Sequence, residues 1–278
     1  MYFLNINKPK GLTSFDVIAK LRHRLNIKQI GHAGTLDPLA SGVLQIGVKK
    51  AAKLLDYLDS DKTYIADIKF GYTTSTYDDE GEKIFVAKPD FSKQDLVACL
   101  STFVGDILQI PPKYSAIKIN GQKLYSLARK NIEVEIPPRQ VTINSIELLD
   151  FNFDFARIRV DCSKGTYIRS LAYDIGNKLE CGAYLTDLKR TRAGIFRIEN
   201  SNNLDDEFYT EINPLDVLNI EKYELNDNEY KRIVCGNFIK SGRTFKADKI
   251  LLTKDNKLVS LANLSDNLIK PKKIFEED

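Results

Sequence analysis

Residues 31–42, Gly31-His-Ala-Gly-Thr-Leu-Asp-Pro-Leu-Ala-Ser-Gly42, set one acid and one histidine among three glycines and a proline. The glycines let the backbone approach a partner closely, and Pro38 restricts Asp37 just before it. An ionised carboxylate so held can attack, abstract a proton, or simply close a turn. From spacing alone the turn is the more economical reading. A second group lies in Ser163-Lys-Gly-Thr-Tyr-Ile-Arg-Ser170, where Arg169 falls in the first turn of an expected helix. A cation there opposes the helix dipole, so it needs a compensating partner, and Asp37 would serve; a surface ion pair or a solvated side chain is the alternative. A third segment, Pro111–Arg129, interleaves tyrosines with lysines, which suits base stacking and phosphate pairing but equally a half-buried sheet edge.

These groups must be carried by regular elements. Ser14 reads as an N-cap before a helix with Ile18, Leu21 and Leu25 on one stripe and Lys20 and Arg24 on another. Lys62–Phe70 alternates Tyr64, Ala66, Ile68 and Phe70 with other side chains, the pattern of a strand buried on one face. Ser92 opens a second helix, with Leu96, Cys99, Leu100 and Phe103 at helical spacing up to Gly105. Strands are expected over Ile132–Ile136, Val141–Leu149 and 156–162, and a third helix over 166–180 with Gly182 just beyond it. Strands that follow one another without obligatory helices predict an α+β fold with a mixed, mainly antiparallel sheet.

The 278 residues are 43% apolar and 28% charged, the balance of a globular protein with a sizeable core. No apolar stretch reaches the roughly 20 residues of a membrane span, and the N-terminus meets Lys8 before any signal-length run, so a cytoplasmic protein without a membrane partner is expected. Cys99, Cys162, Cys181 and Cys235 show neither zinc nor disulfide spacing. The chain lacks His-x-x-x-His, Gly-Lys-Ser/Thr and Gly-x-Gly-x-x-Gly, which disfavours metal, nucleotide triphosphate and dinucleotide chemistry. Charge is unevenly spread. Residues 1–53 hold nine Lys/Arg against two Asp, a net of +7, and residues 230–273 hold eleven against three, a net of +8. Residues 205–229 hold nine acids against Lys222, a net of −8, and read as a connection to a C-terminal module. Two basic regions suggest a polyanion touched at two places, with solvated lysine faces as the alternative.

Four segments in order, Gly31–Leu44, Pro111–Arg129, Ser163–Gly176 and Leu188–Phe196, with the opening Lys8-Pro-x-Gly-x-Thr-Ser14 and the closing Leu268–Phe275, resemble the bacterial tRNA pseudouridine synthase B family. That family modifies the uridine at position 55 in the T loop of tRNA. The resemblance implies a pseudouridine synthase catalytic domain over 1–213 and a short PUA-like, β-rich RNA-binding module over 214–278. It implies an isomerisation without cofactor or metal, with tRNA as partner and no protein partner. Carried over position by position, it makes Asp37 the catalytic aspartate, Tyr64 the active-site tyrosine and Arg169 the carboxylate's partner. Tyr167 and Leu188 fall in the substrate pocket, His32 enters the T loop, and Lys53 contacts RNA.

The implied reaction breaks the bond from uracil N1 to the ribose and joins C5 to the same carbon, so one ionised carboxylate is the minimum requirement. Attack on the base, attack on the sugar carbon and removal of a sugar proton all stay open. Reaching a stacked uridine costs a few kcal/mol of unstacking, and planar, neutral His32 suits the gap left behind. Two other readings compete: a tRNA-folding helper with secondary catalysis, and a carboxylate glycosidase, which needs a second acid that the Asp37 motif lacks.

Overall fold

The structure is a computed structural model that describes residues 1–115, 117–119, 121–124, 127, 132, 134–242, 245, 247–265 and 267–275. Eight principal strands build one mixed sheet: β1 Tyr2–Lys8, β2 Ile30–Ala33, β3 Ala40–Val48, β4 Lys62–Phe70, β5 Gly105–Gln109, β6 Arg139–Asn152, β7 Phe155–Cys162 and β8 Ala183–Ala193. Their order is β1-β3-β8-β4-β7-β6-β5, with β2 paired to β3 and two-residue strands at Asn202–Asn203 and Phe196–Arg197 on β1 and β8. Only the β3–β8 and β1–Asn202 pairings are parallel. The sheet is therefore mixed and mainly antiparallel, as the succession of strand patterns predicts.

Strand β4 has the bounds that its alternation dictates, and Tyr64, Ala66, Ile68 and Phe70 all face inward. Helix α2, Lys93–Ser101, and helix α3, Ile168–Lys178, cover that face with Leu96, Leu100, Leu171 and Ile175. Helix α1, Ser14–Leu25, seals β1 and β3 through Val17, Ile18 and Leu21. Its cap is Thr13 rather than Ser14: Thr13 exchanges side-chain and backbone hydrogen bonds with Asp16. That frees Ser14 for a different task described below.

The strand expected over Ile132–Ile136 is not formed by residues 132 and 134–136, and residue 133 lies outside the described residues. Pro137 and Pro138 have no amide hydrogen to extend a ladder, and the Ile132 amide bonds instead to the Leu127 carbonyl at 3.1 Å. Much of the Pro111–Arg129 segment also lies outside the described residues; Lys118–Ile119 and Gln122–Lys123 pair within it.

After Asn213 the chain forms a second, five-stranded sheet around β9 Lys249–Lys254, β10 Lys257–Ser265 and β11 Leu268–Ile274, backed by α4 Asp227–Val234. This β-rich sheet fits a PUA-like module. It has its own core of Ile233, Ile250, Leu252 and Ile269, while Leu251, Leu261 and Phe275 pack against Phe3, Leu54 and Phe196 of the large sheet's side. The acidic stretch is more structured than a connection. Phe3 and Ile212 exchange backbone hydrogen bonds, Glu229 completes a capping box with Asn226, and Asp227 pairs with Lys254. Asp206, Glu224 and Glu229 accept the backbone amides of Asn203, Asp255 and Asn226, local roles that an apolar-periodicity reading does not detect. Among the described residues no helix is long and apolar enough to cross a membrane.

Candidate active site

The Asp37 segment runs from the end of β2 into β3, and three elements fix it. Strand β8 lies parallel to β3, and Gly42, at φ +105°, meets the backbone of Arg190 so closely that a Cβ there would stand 2.2 Å from the Arg190 carbonyl oxygen. Only glycine fits. Ser14, buried at the start of α1, donates from Oγ to the Leu36 carbonyl at 3.2 Å and accepts from the Leu36 amide at 2.9 Å. The Gly11 amide donates to the Pro38 carbonyl at 2.7 Å, and the turn that presents it is wrapped round the Lys8 ammonium, which donates to Pro9 and Leu12 carbonyls. Burial lowers the Lys8 pKa to about 8, while the nearby Asp37 charge works the other way. Replacing Ser14 by Ala leaves the Leu36 amide without its acceptor and is expected to cost about 1–3 kcal/mol, read as a lower denaturation midpoint.

From the opposite side α3 delivers Arg169. Its Nη2 stands 3.0 Å from Asp37 Oδ2 and also donates to the Tyr114 carbonyl at 2.9 Å. Its Nη1 donates to the Thr76 carbonyl at 3.1 Å and to Asp78 Oδ2 at 3.2 Å. The two acids differ sharply: the Asp37 side chain is 38% exposed, whereas that of Asp78 is 3% exposed. Asp37 thus reaches solvent, and Asp78 braces the guanidinium from the buried side. Asp78 is itself held by Thr76 Oγ1 and the Glu80 amide. Burial pushes the Asp37 carboxyl above its ordinary range, Arg169 pulls it back, and Asp78 adds to the rise. Burial outweighs the ion pair, so the carboxylate is a stronger base than a free aspartate.

Asp78 is the residue that sequence reasoning misses. Its neighbours Thr76, Asp79, Glu80 and Gly81 read as a turn, and its partner lies 91 positions away. The signal available was an acid two residues after Thr76 and followed by Asp79-Glu80-Gly81, which marks a turn far more often than an active site. Asp78→Asn weakens the brace and removes a negative charge near Asp37. The expected result is a rate on the order of tenfold to a hundredfold lower, with the acid limb of the pH–rate profile moved to lower pH. An acid limb that moves upward contradicts this electrostatic reading.

The other expected positions are distributed as follows. Tyr64 is buried on β4, beside Leu36, Leu39 and Leu188 in one apolar cluster, and burial raises its hydroxyl pKa against the opposing pull of Arg190. Leu188, buried on β8, sits opposite Ala40 of β3 and Ala66 of β4. Tyr167 caps α3, its backbone bonded in both directions to the Gln109 side chain at 2.8 and 3.0 Å, and it senses the charges of both Asp37 and Arg169. Tyr64 and Tyr167 thus both feel the Asp37 charge, and Leu188 packs in the same cluster as Tyr64. His32 lies on β2, half-buried, with Nδ1 lacking a hydrogen-bond partner; burial and then Arg190 lower its pKa, so the ring is neutral near pH 7. Lys53 stands apart from the carboxylate cluster, exposed on the helical turns Lys49–Tyr57, where its carbonyl receives Lys273 Nζ at 2.6 Å.

A half-open carboxylate clamped by a buried arginine, on a mixed sheet with tyrosines at hand, is an arrangement able to hold an ionised aspartate ready to react. A family model described as TruB family pseudouridylate synthase (N terminal domain) matches residues 22–168, and one described as tRNA pseudouridylate synthase B C-terminal domain matches residues 169–213. The chain belongs to the TruB family of pseudouridine synthases. It is similar to the tRNA pseudouridine synthase B of Clostridium kluyveri, 41% identical over 98% of each chain. Against that of Fusobacterium nucleatum it is 45% identical over 97% of this chain and 98% of the relative. Among solved structures, a chain of a Cbf5-Nop10-Gar1 complex superposes with a TM-score of 0.73 at 24% identity, over 99% of this chain and 85% of that one, and so shares its fold.

Proposed function

We propose that this protein converts the uridine at position 55 in the T loop of tRNA to pseudouridine in the cytoplasm, with Asp37 as the reacting carboxylate. The observation that carries the reading is the single guanidinium shared between the open Asp37 and the sequestered Asp78. It keeps one carboxylate accessible from solvent while the other acid serves to hold the arginine. A glycosidase pair needs both carboxyls at the substrate, and Asp78 is closed off from it. In this reading Tyr64 stacks on the extruded base, Tyr167 and Leu188 shape the pocket, His32 fills the gap in the T loop, and Lys53 meets a phosphate. Residues 1–213 form the catalytic domain, and 214–278 the RNA-binding module.

An unmodified tRNA transcript incubated with the protein tests the substrate. Mass-spectrometric mapping after cyanoethylation, which tags pseudouridine selectively and so distinguishes it from uridine of equal mass, is expected to find one pseudouridine, in the T loop at position 55, and none when that uridine is replaced by cytidine. Modification confined to another arm would contradict the proposal.

A further inference from the structure

Arg190 on β8 is 1% exposed and is the bulkiest fully buried side chain among the described residues. Its Nε donates to the Val43 carbonyl at 2.7 Å and its Nη2 to the Gly34 carbonyl at 2.7 Å. Those two carbonyls bracket the segment that carries Asp37, so one planar group spans both ends of the loop. Its third nitrogen, Nη1, has no hydrogen-bond partner. Arg190 and Tyr64 are cross-strand partners in the β8–β4 register and therefore share a face of the sheet. The ionisable side chains that feel Arg190 include the cations Lys8 and Lys62 and the neutral His32 ring, and among the described residues no carboxylate forms an ion pair with it.

A buried cation among other cations is costly, and a purely architectural position is filled more cheaply by an apolar side chain. The charge and the fork must therefore do something that packing does not. We infer that Arg190 is a positioning residue for the reaction: it locks both ends of the Asp37 loop and aligns the Tyr64 hydroxyl beside it. The inference rests on the proposed roles of Asp37 and Tyr64. Lysine cannot replace it, because one Nζ on a flexible stem cannot reach two carbonyls in fixed directions while facing a hydroxyl.

The test measures single-turnover rate, tRNA dissociation constant and folded fraction for Arg190→Lys, alone and combined with Tyr64→Phe, with Asp37→Asn as reference. The folded Arg190→Lys protein is expected to react at least fivefold more slowly with tRNA affinity within about threefold, and the loss is expected to shrink in the Tyr64→Phe background. A folded variant slowed less than fivefold, a loss that appears wholly in affinity, or a loss equally large in both backgrounds overturns the inference. If Arg190→Lys does not fold, Gly34→Ala decides by the same criteria. Gly34 is exposed at φ +67°, and a Cβ there would stand 3.2 Å from both Arg190 Nη1 and Lys62 Cε and strain the backbone; a loss that shrinks in the Tyr64→Phe background separates pressure on Arg190 from that strain. Full activity of Asp37→Asn would instead refute the proposed role of Asp37, leaving the two failures distinguishable.

Discussion

Replacing Arg169 by Met is expected to slow pseudouridine formation on the order of 10²–10³-fold and to destabilise the protein by about 3–5 kcal/mol. The two losses have separate causes. The rate falls because Asp37 loses the donor 3.0 Å from its Oδ2 and protonates more readily in its desolvated setting. Stability falls because Asp78, 3% exposed, is left as an uncompensated buried carboxylate, and the Thr76 and Tyr114 carbonyls lose their shared donor. Arg169→Lys keeps the charge but cannot supply donors in four directions, so its rate is expected to fall between those of Met and the wild type. Denaturant midpoints and single-turnover rates separate the two effects. A Met variant with wild-type stability would show that Asp78 is not held in place by this arginine.

Replacing Asp37 by Asn is expected to lower the single-turnover rate by on the order of 10⁴-fold or more, the scale of losing a group that reacts directly. Stability moves the other way. The folded protein binds the Asp37 proton more tightly than the unfolded chain does, so the ionised group costs folding free energy at neutral pH, and that cost fades as pH falls through the folded pKa. The neutral isostere is therefore expected to melt no lower than the wild type at pH 7, with tRNA affinity changed by less than about tenfold. A markedly lowered melting point would mean that the Asp37–Arg169 pair serves the fold rather than the chemistry.

Much of the fold was legible because its signals are local. Strand β4 announces itself by period-two burial, and α2 and α3 by apolar stripes bounded by Ser92 and by the glycine turn before Tyr167. Arg169 was legible as an anomaly, a cation at the wrong end of a helix dipole for which Asp37 would serve as partner, and the family resemblance favoured that pairing over a surface ion pair or a solvated side chain. Three things were hidden for physical reasons. Ile132–Ile136 has strand composition, but its described residues, 132 and 134–136, join no strand, and two prolines follow them. Within 205–229, Asp206, Glu224 and Glu229 hold backbone amides, and in composition they look the same as the acids of a solvated linker. Asp78 and Arg190 act through contacts 91 and 147 positions distant, and no local period encodes such separation.

The most direct test of Asp37 as the reacting carboxylate is tritium release from a tRNA transcript labelled at uracil C5, with enzyme in excess. Wild-type protein is expected to release one tritium per T-loop target uridine. The Asp37→Asn protein, shown by filter binding to hold the same tRNA, is expected to release none above background over the longest incubation. Release by that bound variant at a rate near wild type would contradict the account.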